Sequence, residues 1–243
     1  MSRSSFLSNS TTFSQNFYEH NWSTQHKKKV FICRVVFMAS VTVFTVFNAL
    51  TAFAIQPNSV SCIYDGLFEL TSPINEFFQH EKETRDSILI FSSFLIDVLL
   101  MWFCVRYAVW GRSSRQAIFF FLFYGTRAAV QSIFLMRKPD GYCWDYPGFP
   151  SITVSYQPTS DFFYSGHVGV VLFCGLENKY LGNTYMMWVA FSVCLIESLV
   201  MIFLRGHYSI DLISGLIFSH YFWIVSQWIA DSVDRVLGLG NYL

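Results

Sequence analysis

Charge is what this chain has least of. Sixteen Lys and Arg balance sixteen Asp and Glu over 243 residues, so only 13% of positions are charged, where soluble proteins approach ~25%. With 53% hydrophobic and 19% aromatic residues, the sequence reads as an integral membrane protein. The net charge of zero gives no electrostatic case for a nucleic-acid partner. Cysteine is sparse and unclustered: Cys33, Cys62, Cys104, Cys143, Cys174 and Cys194 form no Cys-x-x-Cys pair and no Cys/His group, so no structural metal is expected, and no cofactor is expected either. Only Cys62 and Cys143 fall in predicted loops, and they could be bridged if both loops face an oxidising compartment. The first 26 residues lack a continuous apolar core, so no signal peptide is expected and the first span serves as its own insertion signal. Internal repeats and low-complexity linkers are also missing, which leaves one helical bundle.

What the sequence does have is long apolar runs, each near the ~20 residues a bilayer crossing requires. They predict six spans at about 30–55, 88–110, 117–136, 165–180, 184–204 and 210–230, with a polar segment 1–29 before them and a tail 231–243 after them. Lys27, Lys28 and Lys29 precede the first run, and Arg112 and Arg115 lie between the second and third. The excess of basic residues places both on the cytoplasmic side. The stretch 56–86, with Pro57, Pro73 and a charge run from Glu81 to Asp86, reads as solvated surface or a short interfacial helix and is assigned no chemistry. The 137–164 connection is rich in Pro, Gly, Tyr and Asp and long for a connector, which suits a cover over a site.

Two polar stretches interrupt the apolar runs where chemistry could occur. Arg205-Gly206-His207-Tyr208-Ser209-Ile210-Asp211 opens the sixth span, and the His207 to Asp211 spacing puts both side chains on one face of a helix. A carboxylate beside an imidazole fixes its tautomer and leaves the second nitrogen as base or nucleophile. Ser165-Gly166-His167 opens the fourth span. Counting crossings, the fourth span starts on the face where the fifth ends, so His167 and His207 should meet there. The backbone amides at Ser165, Gly166 and His167 begin a helix, a natural anion site, and Arg205 lies two residues from His207. Arg127 falls inside a span, where pairing with an acid such as Asp97 is the default.

Phe162-Phe163-Tyr164-Ser165-Gly166-His167-Val168 together with Arg205-Gly206-His207-Tyr208-Ser209-Ile210-Asp211 resembles the two signature stretches of the sphingomyelin synthase family. The nearer likeness is to its phosphatidylcholine:diacylglycerol cholinephosphotransferase branch, within the type 2 phosphatidic acid phosphatase-like superfamily. The resemblance runs roughly from Arg127 to Val225 and implies an all-α integral membrane fold of six transmembrane helices. It implies that His207 attacks the phosphorus of a phospholipid head group, that Asp211 orients His207, and that His167 protonates the departing lipid alkoxide. The implied substrate-binding set is Ser165, Gly166, Arg205, Arg127 and Tyr208, with no metal. The partners are the membrane, a phospholipid donor and a hydroxyl lipid, diacylglycerol or ceramide, and the location is the endoplasmic reticulum or Golgi.

The sequence departs from the phosphatase pattern, in which six residues separate a Lys from Arg-Pro. Here Gln131 stands at the first position and Lys138-Pro139 at the second, and Met201 replaces the Arg expected six residues before the His. These differences favour the transferase branch. Two alternatives stay open on the residues alone. One is a lipid phosphate phosphatase; the other is a catalytically inactive lipid-binding subunit of a large membrane complex, such as one of the mitochondrial inner membrane, with a protein partner holding the polar N-terminal segment.

Overall fold

The computed structural model describes residues 28–40, 43, 63–111, 113–134, 136–154, 156 and 162–236. Among these residues the regular structure is entirely helical. Residues 28–40 are helical, and Arg34 reaches across to donate to the Tyr107 carbonyl (3.4 Å). In chain order there follow α1 (Gly66–Leu70), α2 (Ser72–His80), α3 (Lys82–Trp110), α4 (Arg115–Ile133), α5 (Gly166–Tyr180), α6 (Thr184–Phe203) and α7 (Ser209–Val236). Of these, α3, α6 and α7 are long and apolar enough to cross a membrane. Most of the expected first span, the segment before residue 28 and the tail beyond 236 lie outside the described residues.

The helices sort their side chains into a lipid-suited face and a core face. On α3, Phe91, Phe94, Val98, Met101, Val105 and Val109 are exposed, whereas Leu89, Ile96, Leu99 and Phe103 are buried. The spacing of three and four residues within each set is that of a helix with two distinct faces. An outer face this apolar is stable only against hydrocarbon.

The short α5 is the axis of the bundle, packed against α3, α6 and α7. It is buried almost all round, with Val168, Val170, Val171, Phe173 and Cys174 in the core. Small residues allow the close approach. A Cβ on Gly215 of α7 would come within 2.8 Å of the Ser165 carbonyl, so only glycine lets α7 lie against the start of α5. On the α4 side, Phe119 stacks on Phe173 with ring centroids 3.7 Å apart, adding aromatic contact to burial.

Because consecutive helices run antiparallel, α5 and α7 begin at the end of the bundle where α4 and α6 finish. The opposite end is closed by a polar network. Arg115, one of the basic residues expected on the cytoplasmic side, is buried here, ion-paired with Glu177 and stacked over the Tyr180 ring at 3.8 Å. Gln116 also donates to Glu177 (2.6 Å). Ser113 Oγ and the Ser114 amide hold Asp234 (2.7 and 2.8 Å), which fixes α7 well beyond the expected end at residue 230. Arg112 lies outside the described residues.

Of the two readings of 56–86 the helical one holds, and two further expectations are corrected. The 56–86 stretch is helical from Gly66 onward, as α1, α2 and the start of α3, because Asp65 caps α1 through the Leu67 amide (3.0 Å) and Pro73 sits in the first turn of α2. Asp97 does not neutralise Arg127. It accepts from the Ile152 and Thr153 amides (both 2.9 Å) and from the Ser151 and Thr153 hydroxyls (3.0 and 2.6 Å), pinning the long loop to α3. Cys143 is a buried free thiol rather than half of a bridge, with its thiol donating to the Gly141 carbonyl (3.3 Å). Cys62 itself is outside the described residues.

Candidate active site

The buried carboxylate of Asp211, in the first turn of α7, holds the two polar stretches together. Its Oδ2 lies 3.1 Å from His207 Nδ1 and accepts from the Tyr208 amide at 3.1 Å, and its Oδ1 accepts from the Phe163 amide at 2.8 Å. The Asp211 carbonyl accepts from the Ser165 amide at 2.9 Å. One residue therefore clamps both the His207 turn and the strand-like approach to α5. Every neighbour of the carboxylate is a donor, so the His207 proton belongs on Nδ1 and Nε2 keeps its lone pair. The four-residue spacing works differently from a shared helix face. Helix α7 starts only at Ser209, with the Asp211 amide bonding the Tyr208 carbonyl (3.0 Å), so Asp211 reaches back around the helix end.

The approach to α5 is held under strain. Phe163 has φ 104°, a region costly for any side chain. It is fixed on both sides, by its amide on Asp211 and by the Ser214 hydroxyl on its carbonyl (2.5 Å). Ser165 then caps α5, its Oγ accepting from the Val168 amide (3.5 Å). The Tyr164 ring is buried and its hydroxyl donates to the Phe123 carbonyl; burial pushes this phenol well above its ordinary range. His167, half-buried in the first turn of α5, faces the Trp144 ring at 6.4 Å. The same indole lies against Gly206, where a Cβ would meet it at 2.7 Å, so Trp144 touches both histidine turns.

Around these groups the two arginines differ. Arg127 donates from Nε to the Tyr164 carbonyl (3.2 Å), and its guanidinium lies over Gly166, at 3.5 Å from where a Cβ would be. A cation and the positive end of a helix dipole thus coincide at the start of α5. Arg205, in the left-handed region at φ 52°, donates to the Asp140 carbonyl (2.5 Å), the Ser72 hydroxyl (2.9 Å) and the Phe68 carbonyl (3.4 Å). Its guanidinium braces the α6–α7 turn against α1 and α2. Gly141 has φ 77° and lies so close to this brace that a Cβ would come within 2.9 Å of the Arg205 guanidinium. Tyr208 is likewise turned to the fold, its buried hydroxyl donating to the Arg137 carbonyl (3.0 Å).

The sequence reading passed over three contributors. Asp65, having capped α1, accepts from the Ser209 amide at 2.7 Å and so places a carboxylate at the N-terminus of α7. Asn75 is fully buried and ties Gly141 (3.0 Å) to Phe203 (2.8 Å). Glu197, on α6, is fully buried. An ionisable residue inside an apolar run is by itself a functional signal, and it could have been read from the fifth span. The roles of Asp65 and Asn75 depend on partners 66 to 144 positions away.

A family model described as AtPDCT1/2 matches residues 64–228. The chain belongs to the AtPDCT1/2 family. This is the phosphatidylcholine:diacylglycerol cholinephosphotransferase branch, and membership supports membrane phospholipid head-group transfer as the general activity. The match spans α1 to most of α7, including both histidine turns. No curated protein and no solved structure matches the chain.

Proposed function

We propose that this AtPDCT1/2 family member moves a phosphocholine-like head group from a phospholipid to a hydroxyl lipid, diacylglycerol or ceramide, through a phosphohistidine at His207. The observation that carries the reading is Asp211, which orients His207 with one carboxylate oxygen and the Phe163 turn before His167 with the other. In the first step His207 Nε2 forms a bond to phosphorus, the bond from phosphorus to the diacylglycerol oxygen breaks, and His167 gives that oxygen its proton. In the second step His167 takes the proton from the acceptor hydroxyl, whose oxygen displaces His207. General acid–base help of this kind contributes ~10²–10⁴ in rate.

Charge on the transferring phosphoryl oxygens is met by Arg127 and the amides opening α5, groups fixed before the substrate arrives. Ser165 and Gly166 shape that opening, whereas Arg205 and Tyr208 support it from behind through their bonds to loop carbonyls. The wider placement follows the same reading: six crossings, with the reacting end of α5 at the head-group level and the exposed apolar faces of α3, α6 and α7 in lipid. The test is to reconstitute the purified chain in liposomes with phosphatidylcholine labelled in its head group and with added diacylglycerol or ceramide. Label is expected in the acceptor lipid and the lipid product left behind is diacylglycerol. Release of free phosphocholine or phosphate regardless of acceptor would replace the transferase with a hydrolase.

A further inference from the structure

Glu197 is an acid that nothing in the transfer chemistry uses. It is fully buried near the head-group end of α6, and among the described residues neither carboxylate oxygen has a hydrogen-bond partner. Ser92 of α3 is the polar side chain beside it, yet that hydroxyl is also without a well-formed bond. Among the described residues no Lys or Arg stands close enough to influence it. Glu177, the comparable acid at the other end of the bundle, has an arginine, a glutamine and an indole. Burying a carboxylate without a partner is costly enough that membrane proteins retain such groups mainly at sites.

Its position is set by its neighbours on the same helix. Three residues before it, Cys194 contacts the Val168 carbonyl (3.7 Å), and four residues after it, Met201 accepts from Ser165 Oγ (3.4 Å). The spacing puts all three on one face, so Glu197 looks at the first turn of α5, beside His167. On its other side the electrostatic neighbour is Tyr156, whose ring lies 6.0 Å from Trp144, which in turn lies 6.4 Å from His167. Carboxylate, phenol, indole and imidazole thus form one continuous wall.

A two-step transfer balances its protons through His167, from acceptor hydroxyl to departing alkoxide, so Glu197 has no proton to carry. Among the described residues no group of three ligands holds a metal. A primary ammonium would want three acceptors, but Ser93 donates to the Leu89 carbonyl (2.7 Å) and Tyr156 donates to the same carbonyl (3.2 Å), which leaves the Ser92 hydroxyl beside the carboxylate. What suits this wall is a cation without N–H groups, held by charge and by aromatic faces. We propose that Glu197 is the counter-charge for the quaternary ammonium of the phosphocholine head group, with Trp144 and Tyr156 as its aromatic walls. The assignment rests on the head-group reading above and makes Glu197 a specificity-determining residue of that site.

The experiment compares phosphatidylcholine with its 3,3-dimethylbutyl analogue, in which carbon replaces the quaternary nitrogen at nearly equal size. Each lipid competes with a photoactivatable phosphatidylcholine for labelling of the purified full chain, with wild type, Glu197→Gln and Glu197→Asp. Wild type should prefer the charged lipid by ~10-fold, in keeping with a desolvated cation on aromatic faces plus a carboxylate. Glu197→Gln should lose that preference, and Glu197→Asp should retain part of it. Equal competition by the two lipids on wild type overturns the proposal without any variant having to fold; so does a Gln variant that keeps the full preference. A chain that shows the preference but passes no label to any hydroxyl lipid sinks the transferase reading and leaves the ammonium site standing.

Discussion

At one end of α5 the carboxylate of Glu177 is matched by Arg115, Gln116 and Trp223; at the other end Asp211 meets an imidazole and two backbone amides. Both acids are fully buried, and both tie α5 to its neighbours. The difference lies in the partner. A guanidinium carries a permanent charge and has no lone pair to offer a reactant, so the Glu177 end is a clasp. An imidazole bound through one nitrogen keeps a lone pair on the other. Buried acid and base at two ends of one helix thus give a staple in one case and, on the reading proposed above, a nucleophile in the other.

The contrast can be broken at four places. Replacing the proposed nucleophile should have the largest effect: His207→Asn is expected to lower head-group transfer at least ~10³-fold with unchanged thermal unfolding, because its loss would remove the proposed covalent route altogether. Asp211→Asn should cost ~10²–10³-fold, less than the histidine itself, since an amide can hold the ring but offers a donor where the Nδ1 proton needs an acceptor. Labelled-lipid transfer in liposomes measures both. If Asp211→Asn instead matched wild type, the orienting role would fall.

Smaller changes should follow from the supports. Asp65→Ala removes the acceptor for the Ser209 amide and the cap of α1. A loss of ~1–2 kcal/mol in stability and a fall of only a few-fold in transfer rate are expected, read by unfolding in detergent alongside activity. Glu177→Gln should reverse the ranking between the two observables. Stability drops by ~3–5 kcal/mol because Arg115 is left buried without its acid, while activity per folded molecule stays within ~3-fold of wild type. Making Arg115→Met and Glu177→Met together should recover most of that stability. If the single Glu177 change abolished transfer in folded protein, the two ends would not be separable.

The site was partly legible because some of its chemistry is short-range. Ser165 as a cap and the His207 to Asp211 contact both span four residues or fewer, and their geometry follows from how any helix begins. The partner of Arg115 was not legible for the opposite reason. A basic residue after a short turn looks like a loop charge until Glu177, 62 positions away, is brought against it. Asp97 and Arg127 were sensible partners by charge alone, yet the loop amides at 152 and 153 offered Asp97 better-aligned donors.

By itself the sequence determined the membrane class and the helical character, because twenty-residue apolar runs have no other stable home and must satisfy their amides internally. It also determined which residues open α5 and α7. Only the tertiary structure decided that Asp211 grips Phe163 as well as His207, that Arg205 braces a loop while Arg127 faces the α5 opening, and that Glu197 has no cation among the described residues. These outcomes depend on how closely helices approach, which rests on details such as the missing Cβ of Gly215 against Ser165. Local hydrogen bonds can be read from spacing, but the partner of a buried charge is fixed only when packed faces select it.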